Sequence, residues 1–196
     1  MNDFFALLSR MRYINRWGLM RSSIPENVQE HSHMVAVLAH ALGVIRRDVF
    51  GGDCDPNALA AAALFHDAPE ILTGDLPTPI KYHSGEITAA YQDIERIAAD
   101  RLIEMLPAEM RAAYAPLVGE EVCENTKRLV KAADRLSAYI KCIEERKAGN
   151  GEFISAERQT LERIVAMALP EADYFLKNFM PAFEKNLDEL GTMNGD

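Results

Sequence analysis

No stretch of this 196-residue chain alternates apolar and polar residues as a half-buried strand does, and that absence constrains the fold more than any other feature. Apolar residues recur instead at spacings of three and four, which puts them on one face of a helix. Residues 4 to 14 predict a short first helix with Phe4, Leu7, Leu8, Met11 and Ile14 inward. Arg16-Trp17-Gly18 leaves it, and Ser22 to Pro25 reads as loop. A stripe of Val28, Val35, Leu38, Leu42, Ile45 and Val49 predicts a long helix, stopped by Gly51-Gly52. Asp55-Pro56 reads as an N-cap followed by proline at the first helical position. The helix it opens, 57 to 66, is apolar almost all round and is expected to be central and buried. Thr73 to Pro79 is expected to be an ordered, extended loop, because Pro77 and Pro79 oppose helix. Helices resume over 86–106, with Ile87, Tyr91, Ile94, Ala98, Leu102 and Met105 on one face, then over 108–117, 126–148, 152–168 and 171–190, the last bent at Pro181. The expected architecture is one all-α domain covering 1–196, with no repeat or linker.

The totals narrow the function classes. A net charge of −9 argues against a general nucleic-acid binder, which needs a basic surface to neutralise phosphates. An anionic substrate would need a local basic patch, and Phe4 to Pro25 offers one: Arg10, Arg12, Arg16 and Arg21 with no acidic residue. The longest uncharged apolar stretch, Ala58 to Phe65, is too short to span a bilayer. Arginines interrupt the N-terminal apolar residues before a secretory signal forms. Cys54, Cys123 and Cys142 lack metal or redox spacing and suggest free thiols in a reducing cytosol, so a cytoplasmic, membrane-free enzyme is expected.

Chemistry concentrates in Ala63-Leu64-Phe65-His66-Asp67-Ala68-Pro69-Glu70. His66 and Asp67 close an apolar run, and Glu70 follows four residues after the histidine, within reach of the same pocket. Pro69 has no amide for the Phe65 carbonyl, so a kink or restart is expected beside the pair. Among the histidines, His31 falls within the apolar stripe of the 28–49 helix, where it needs a polar partner. His33 and His40 project to solvent, and His83 lies in a loop. His31 could equally be a core histidine bonded to a carbonyl. A metal site from His31, His66 and Asp67 needs a further ligand; Asp134 is the best candidate, at the flank of its helix's apolar face. Pairing of Asp134 with Lys131 or Arg135 is the competing reading, and Asp93 and Asp100 are rival ligands on a polar face.

The order His31, His66-Asp67, Asp134 resembles the H…HD…D pattern of the HD phosphohydrolase superfamily. Ile14-Asn15-Arg16-Trp17, Glu26-Asn27-Val28 with Glu30-His31-Ser32, His66-Asp67-Ala68 with Glu70, Thr73-Gly74-Asp75-Leu76-Pro77-Thr78-Pro79 and Leu129-Val130-Lys131-Ala132-Ala133-Asp134 together resemble bacterial 5′-deoxynucleotidases of that superfamily. Gly18 and Pro69 depart from the pattern without emptying a functional position. The resemblance implies one divalent metal on His31, His66, Asp67 and Asp134, with Co²⁺ or Mn²⁺ supporting activity and Zn²⁺, Fe²⁺ or Mg²⁺ as alternatives; the mixed N/O donor set suits such ions. It implies hydrolysis of a deoxynucleoside 5′-monophosphate, with Glu70 handling a proton and Arg16 holding the phosphate. Trp17, His31, Asp75, Leu76, Pro77 and Thr78 would contact the substrate, and the protein would be a homodimer. Two alternatives are an HD hydrolase of nucleotide di- or polyphosphates and a non-enzymatic nucleotide sensor. The first would want more basic residues near the site than Arg16, Lys81 and the N-terminal arginines supply.

Overall fold

The computed structural model describes residues 2–81, 83–119 and 123–191. Among these residues the structure is helical, and its one extended pairing is an isolated antiparallel bridge between Asn15 and Asn27. The helices are α1 Phe4–Leu8, α2 Val28–Val44, α3 Pro56–Phe65, α4 Glu70–Thr73, α5 Thr78–Lys81, α6 Gly85–Glu104, α7 Ala108–Val118, α8 Glu124–Lys147, α9 Ile154–Val165 and α10 Pro170–Asn178. The first helix tightens into a 3₁₀ turn over Ser9–Tyr13.

The main core joins α2, α3 and α8. Val35, Leu38 and Leu42 of α2 meet Leu59, Ala62 and Ala63 of α3 and Leu129, Ala132, Ala133, Leu136 and Ile140 of α8. The alanines let the three axes draw close. At Gly43 the approach is closest: a Cβ there would lie 2.9 Å from the Pro56 Cα, so any larger residue would push α3 off α2. A second cluster, Phe4, Ala68, Ala99, Leu102, Leu106 and Val118, ties α1 and the turn after α3 to α6 and α7. The His66–Glu70 turn thus lies where the two clusters meet.

Several expectations need correction. Val49 is exposed, because the end of the α2 stretch widens into a π turn over Ile45–Val49, closed by the Phe50 amide on the Ile45 carbonyl. That wider turn swings Val49 off the stripe. Helix α3 is not buried all round: Ala58 and Leu64 face outward, since α2, α7 and α8 cover only part of it. On α6 the covered face is Tyr91, Ala98, Ala99 and Leu102, leaving Ile87 and Ile94 exposed. Pro79 does not prevent helix; it sits in the first turn of α5, where a missing N–H costs nothing. The expected 171–190 helix stops at Asn178, and Pro181 lies within a separate 3₁₀ turn, Met180–Glu184.

Candidate active site

Helix α2 begins with a capping box: Asn27 Oδ1 accepts from the Glu30 amide at 3.0 Å, and Glu30 Oε2 accepts from the Asn27 amide at 3.3 Å. This fixes the first turn and aims His31 into the core, where it has 0% exposure. The same Asn27 closes the bridge to Asn15, and the Arg16 amide donates to the Glu26 carbonyl at 2.9 Å. The segment between is therefore a closed loop with Arg16 and Trp17 at its base.

Helix α3 ends at Phe65, so His66 and Asp67 occupy a tight turn rather than a helical face. The Ala68 amide bonds the Phe65 carbonyl and the Glu70 amide bonds the Asp67 carbonyl, and α4 restarts at Glu70 behind Pro69. The expected break beside the His-Asp pair is present.

The ligand atoms of His31, His66 and Asp134 lie within 4.8 Å of one another. His31 Nε2 is 3.2 Å from Asp134 Oδ1 and 3.7 Å from Asp67 Oδ2, and His66 Nε2 is 3.2 Å from Asp67 Oδ2. Both Nε2 atoms are buried without a hydrogen-bond partner. Both Nδ1 atoms are engaged: His66 Nδ1 donates to the Ala63 carbonyl at 2.7 Å, and His31 Nδ1 lies 3.2 Å from Ser137 Oγ. A carbonyl can only accept, so His66 carries its proton on Nδ1 and leaves a lone pair on Nε2, the arrangement of a metal-ligating histidine. That nitrogen and the buried, unpartnered Nε2 of His31, facing two carboxylates, fit a divalent cation. Asp134 also takes the predicted bond from Lys131, at 2.6 Å, but through its other oxygen, so the two readings of Asp134 hold together. Asp93 and Asp100 are exposed and pair with Arg96.

Charge follows this packing. Burial and the Arg16 guanidinium lower the His31 pKa. Burial acts against protonation of His66 too, but Asp67 outweighs it and raises the pKa. Burial would raise Asp134, yet Lys131 and His31 hold it well below the usual carboxylate range. Glu70 goes the other way: burial, then the negative charges of Asp67 and Asp75, push its pKa up to about 9. Its Oε2 is buried and unpartnered.

Arg16 donates from Nε to Glu26 Oε2 at 3.1 Å and from Nη1 to Asp67 Oδ2 at 3.5 Å. Trp17 Nε1 donates to the same Glu26 oxygen at 2.8 Å, and the indole packs on Phe153 at 5.2 Å between centroids. Trp17 has φ 60°, a conformation rare for bulky residues that costs on the order of 1–3 kcal/mol and clusters at functional sites. Asp75 follows α4, raised by burial and by Asp67 and lowered by Arg16. Leu76 and Pro77 are half-buried beyond it, and Thr78 is exposed at the start of α5. Beside His66, Asp67 and Glu70 opens a cavity of about 380 Å³, floored by Ala62, Ala99, Leu117 and Val130 and rimmed by Lys81, Arg96, Lys127 and Lys131.

The structure thus gathers Arg16, His31, His66, Asp67, Glu70 and Asp134. Arg10, Arg12 and Arg21 are exposed, and Arg21 pairs with Glu152, so the basic N-terminal segment contributes Arg16 alone. His33 and His40 are exposed, as expected, and His83 is exposed as well. Two residues were overlooked. Glu26 orients Arg16 and Trp17; its signal was being the first acidic residue after Asp3. Ser137 holds His31, one turn from Asp134 on the same face of α8. The rim cations Arg96 and Lys127 gave no signal, since α6 and α8 come together only in the fold.

A family described as 5′-deoxynucleotidase YfbR-like matches residues 3–183. The chain belongs to the YfbR-like 5′-deoxynucleotidase family. It is 50% identical over 190 residues to a 5′-deoxynucleotidase of Erwinia tasmaniensis, covering 96% of each chain, and 48% identical over 190 residues to 5′-deoxynucleotidase YfbR of Shigella boydii, again 96% of each. Among solved structures, an HD-domain phosphohydrolase of Listeria innocua superposes with a TM-score of 0.79 at 26% identity, covering 92% of this chain and 88% of that one. The cyanophage S-2L HD phosphohydrolase DatZ, bound to dA and one catalytic Zn²⁺, gives 0.66 at 20% identity over 92% and 96%, a likeness of fold. The expected all-α HD bundle is the fold observed.

Proposed function

We propose that this chain is a metal-dependent phosphomonoesterase that hydrolyses deoxynucleoside 5′-monophosphates to deoxynucleoside and phosphate, acting as one HD domain over 1–196. The observation that carries this reading is the pair of buried, unpartnered Nε2 atoms of His31 and His66 facing Asp67 and Asp134, with Arg16 and Glu70 beside them. Membership of the family supplies the substrate class.

His31, His66, Asp67 and Asp134 would hold one divalent cation. Co²⁺ and Mn²⁺ are the ions that we favour, on the family resemblance; Zn²⁺, Fe²⁺ and Mg²⁺ remain compatible with two nitrogens and two oxygens. When bound, such an ion supplies positive charge that offsets the negative charge of the phosphate. The residues do the rest. Arg16 has Nε occupied by Glu26, so it grips the phosphate through its Nη edge and keeps its orientation from the carboxylate behind it. Hydrolysis joins a water oxygen to phosphorus and breaks the P–O5′ bond; one proton leaves the water and one reaches O5′. Glu70 is the group placed to carry such a proton: it is buried, has a free oxygen, and binds protons more tightly than an exposed carboxyl. Trp17 forms the wall of the sugar pocket, with His31, Asp75, Leu76, Pro77 and Thr78 on the nucleoside side, Asp75 accepting from a sugar hydroxyl.

The polyphosphate alternative gains Arg96, Lys127 and Lys131, which the sequence reading had not placed at the cavity. Yet Lys81, Arg96 and Lys131 are already paired with Glu95, Asp93 and Asp134. We therefore retain the monophosphate reading, a cytoplasmic setting, and no nucleic-acid partner on the acidic net charge. No helix among the described residues is long and apolar enough to cross a membrane. Exposed Ile87, Ile94 and Ile97 on α6 support a homodimer; light scattering of Ile94→Arg should show a smaller species, and an unchanged mass would remove that face. The deciding experiment for function is phosphate release from a panel of deoxy- and ribonucleoside mono-, di- and triphosphates with and without each metal. Release from deoxynucleoside monophosphates must dominate; preference for the longer phosphates, or no release at all, would overturn the proposal.

A further inference from the structure

One face of α8 carries Asp134, Ser137, Lys141 and Glu145, a polar ridge down an otherwise apolar, buried surface. The first faces the proposed metal and the second holds His31. The other two do neither. Lys141 and Glu145 form a buried pair at 2.5 Å, with side chains 5% and 1% exposed. A buried ion pair is by itself weak evidence for stability, since apolar residues of similar size often serve as well. Its partners explain it. Glu145 Oε2 accepts from the Ser23 amide at 2.8 Å and from Asn150 Nδ2 at 2.9 Å, and Oε1 accepts from the Ile24 amide at 3.2 Å. Lys141 Nζ donates to the Ile24 carbonyl at 2.5 Å. Asn150 Nδ2 reaches the Arg21 carbonyl at 2.6 Å, and the Arg21 amide donates to Glu152 at 2.9 Å. The bonds to Arg21, Ser23 and Ile24 grip the loop that begins with Arg16-Trp17, and the Glu145 bonds to Lys141 and Asn150 hold the gripping groups together. An apolar pair could fill the same volume but could not satisfy those amides and that carbonyl.

We propose that Glu145, set by Lys141, is a positioning residue for the reaction: it clamps the far side of the 16–26 loop, so that Arg16 and Trp17 keep the orientation the substrate needs. The near side is fixed by Glu26 and the Asn15–Asn27 bridge. Trp17 sits between these anchors in a left-handed backbone conformation and against Phe153, which follows Asn150 and Glu152 in the chain. The clamp overdetermines a geometry that a loosely held loop would abandon. This inference rests on the roles proposed above for Arg16 and Trp17.

The test uses Glu145→Gln and Asn150→Ala in the full, metal-loaded protein. Trp17 is the only tryptophan, so its fluorescence reports the loop alone. Expected for Glu145→Gln is a red-shifted, more readily quenched emission, unchanged metal content, and kcat/KM for a deoxynucleoside monophosphate lowered on the order of 10- to 100-fold, as small misplacements of a binding group produce. Asn150→Ala should move both readouts in the same direction by less. Folded, metal-loaded Glu145→Gln with wild-type emission and wild-type kcat/KM would overturn the proposal, as would lost activity with unmoved emission. A shifted emission with wild-type kcat/KM overturns it as well and places the fault in the roles given to Arg16 and Trp17. If Glu145→Gln does not fold, Asn150→Ala decides by the same criteria.

Discussion

Glu26→Gln isolates the orientation of Arg16 from its charge. In the wild-type protein one carboxylate oxygen accepts from both Arg16 Nε, at 3.1 Å, and Trp17 Nε1, at 2.8 Å, at a site where the Glu26 side chain is 15% exposed. Glutamine keeps the shape and an acceptor but removes the charge. A hydrogen bond to a charged group contributes roughly 1.5–3 kcal/mol, against about 1 kcal/mol for a neutral one. Two weakened bonds therefore remove about 2 kcal/mol of orienting free energy. Were all of it felt in the transition state, kcat/KM would fall roughly 30-fold. Part of the loss should appear as Trp17 emission moving to longer wavelength, since the indole loses its strongest tether. The assay is initial-rate phosphate release from one deoxynucleoside monophosphate at saturating metal, with metal content measured alongside. A Glu26→Gln protein within twofold of wild type would refute the reasoning, because the shared oxygen would then be a packing contact and no more.

Other outcomes follow from the same geometry. Asp67→Ala should lose bound metal and nearly all activity, checked by metal analysis after dialysis; full occupancy with wild-type turnover would remove Asp67 from the ligand set. Glu70→Gln should keep its metal while kcat drops by roughly 10²–10⁴-fold, the span of a positioned acid–base group; metal loss instead would make Glu70 a ligand. Trp17→Ala should narrow the deoxy-over-ribo ratio of kcat/KM by about an order of magnitude, the scale on which pockets reject an added hydroxyl, and an unchanged ratio would shift selectivity to the Asp75 loop. Glu145, which burial would raise but the bonds from Lys141, Ser23 and Asn150 hold at about 2, contributes stability that is fully present above its ordinary value of 4.5 and is lost as pH falls towards 2. That contribution is on the order of 1–3 kcal/mol. The stability gap between wild type and Glu145→Gln in acid melts should shrink as pH falls from 4.5 towards 2, and a constant gap at all pH values would contradict the clamp's charge.

How legible was this in the chain? Helices were readable wherever a stripe met one covering surface, as with Val28 to Ile45. The reading failed where tertiary cover was narrower than the stripe: Ile94 is apolar and in phase, but α4, α5 and α7 reach only the Ala98–Ala99 side of α6. It failed at Val49 because a π turn changes the period without changing the composition. In the site, His31 was separable from His33 and His40 by phase alone. Asp134 was not, since its Lys131 pairing hides the second oxygen that faces His31. Glu26 and Glu145 were the hardest to see. Each acts through backbone or side-chain atoms of a loop whose path no periodicity encodes.

The ridge on α8 also restricts how this chain can change length. Asp134 and Glu145 are eleven residues apart, close to three full turns, which is why both look the same way. Inserting or deleting a single residue between them would rotate one by about 100° relative to the other. The proposed metal ligand or the proposed loop clamp would then turn off this face, whichever end stayed in place. Substitutions can drift through this segment, but frame changes cannot. In a lineage that retains both roles, gaps should be excluded from the three turns between Asp134 and Glu145.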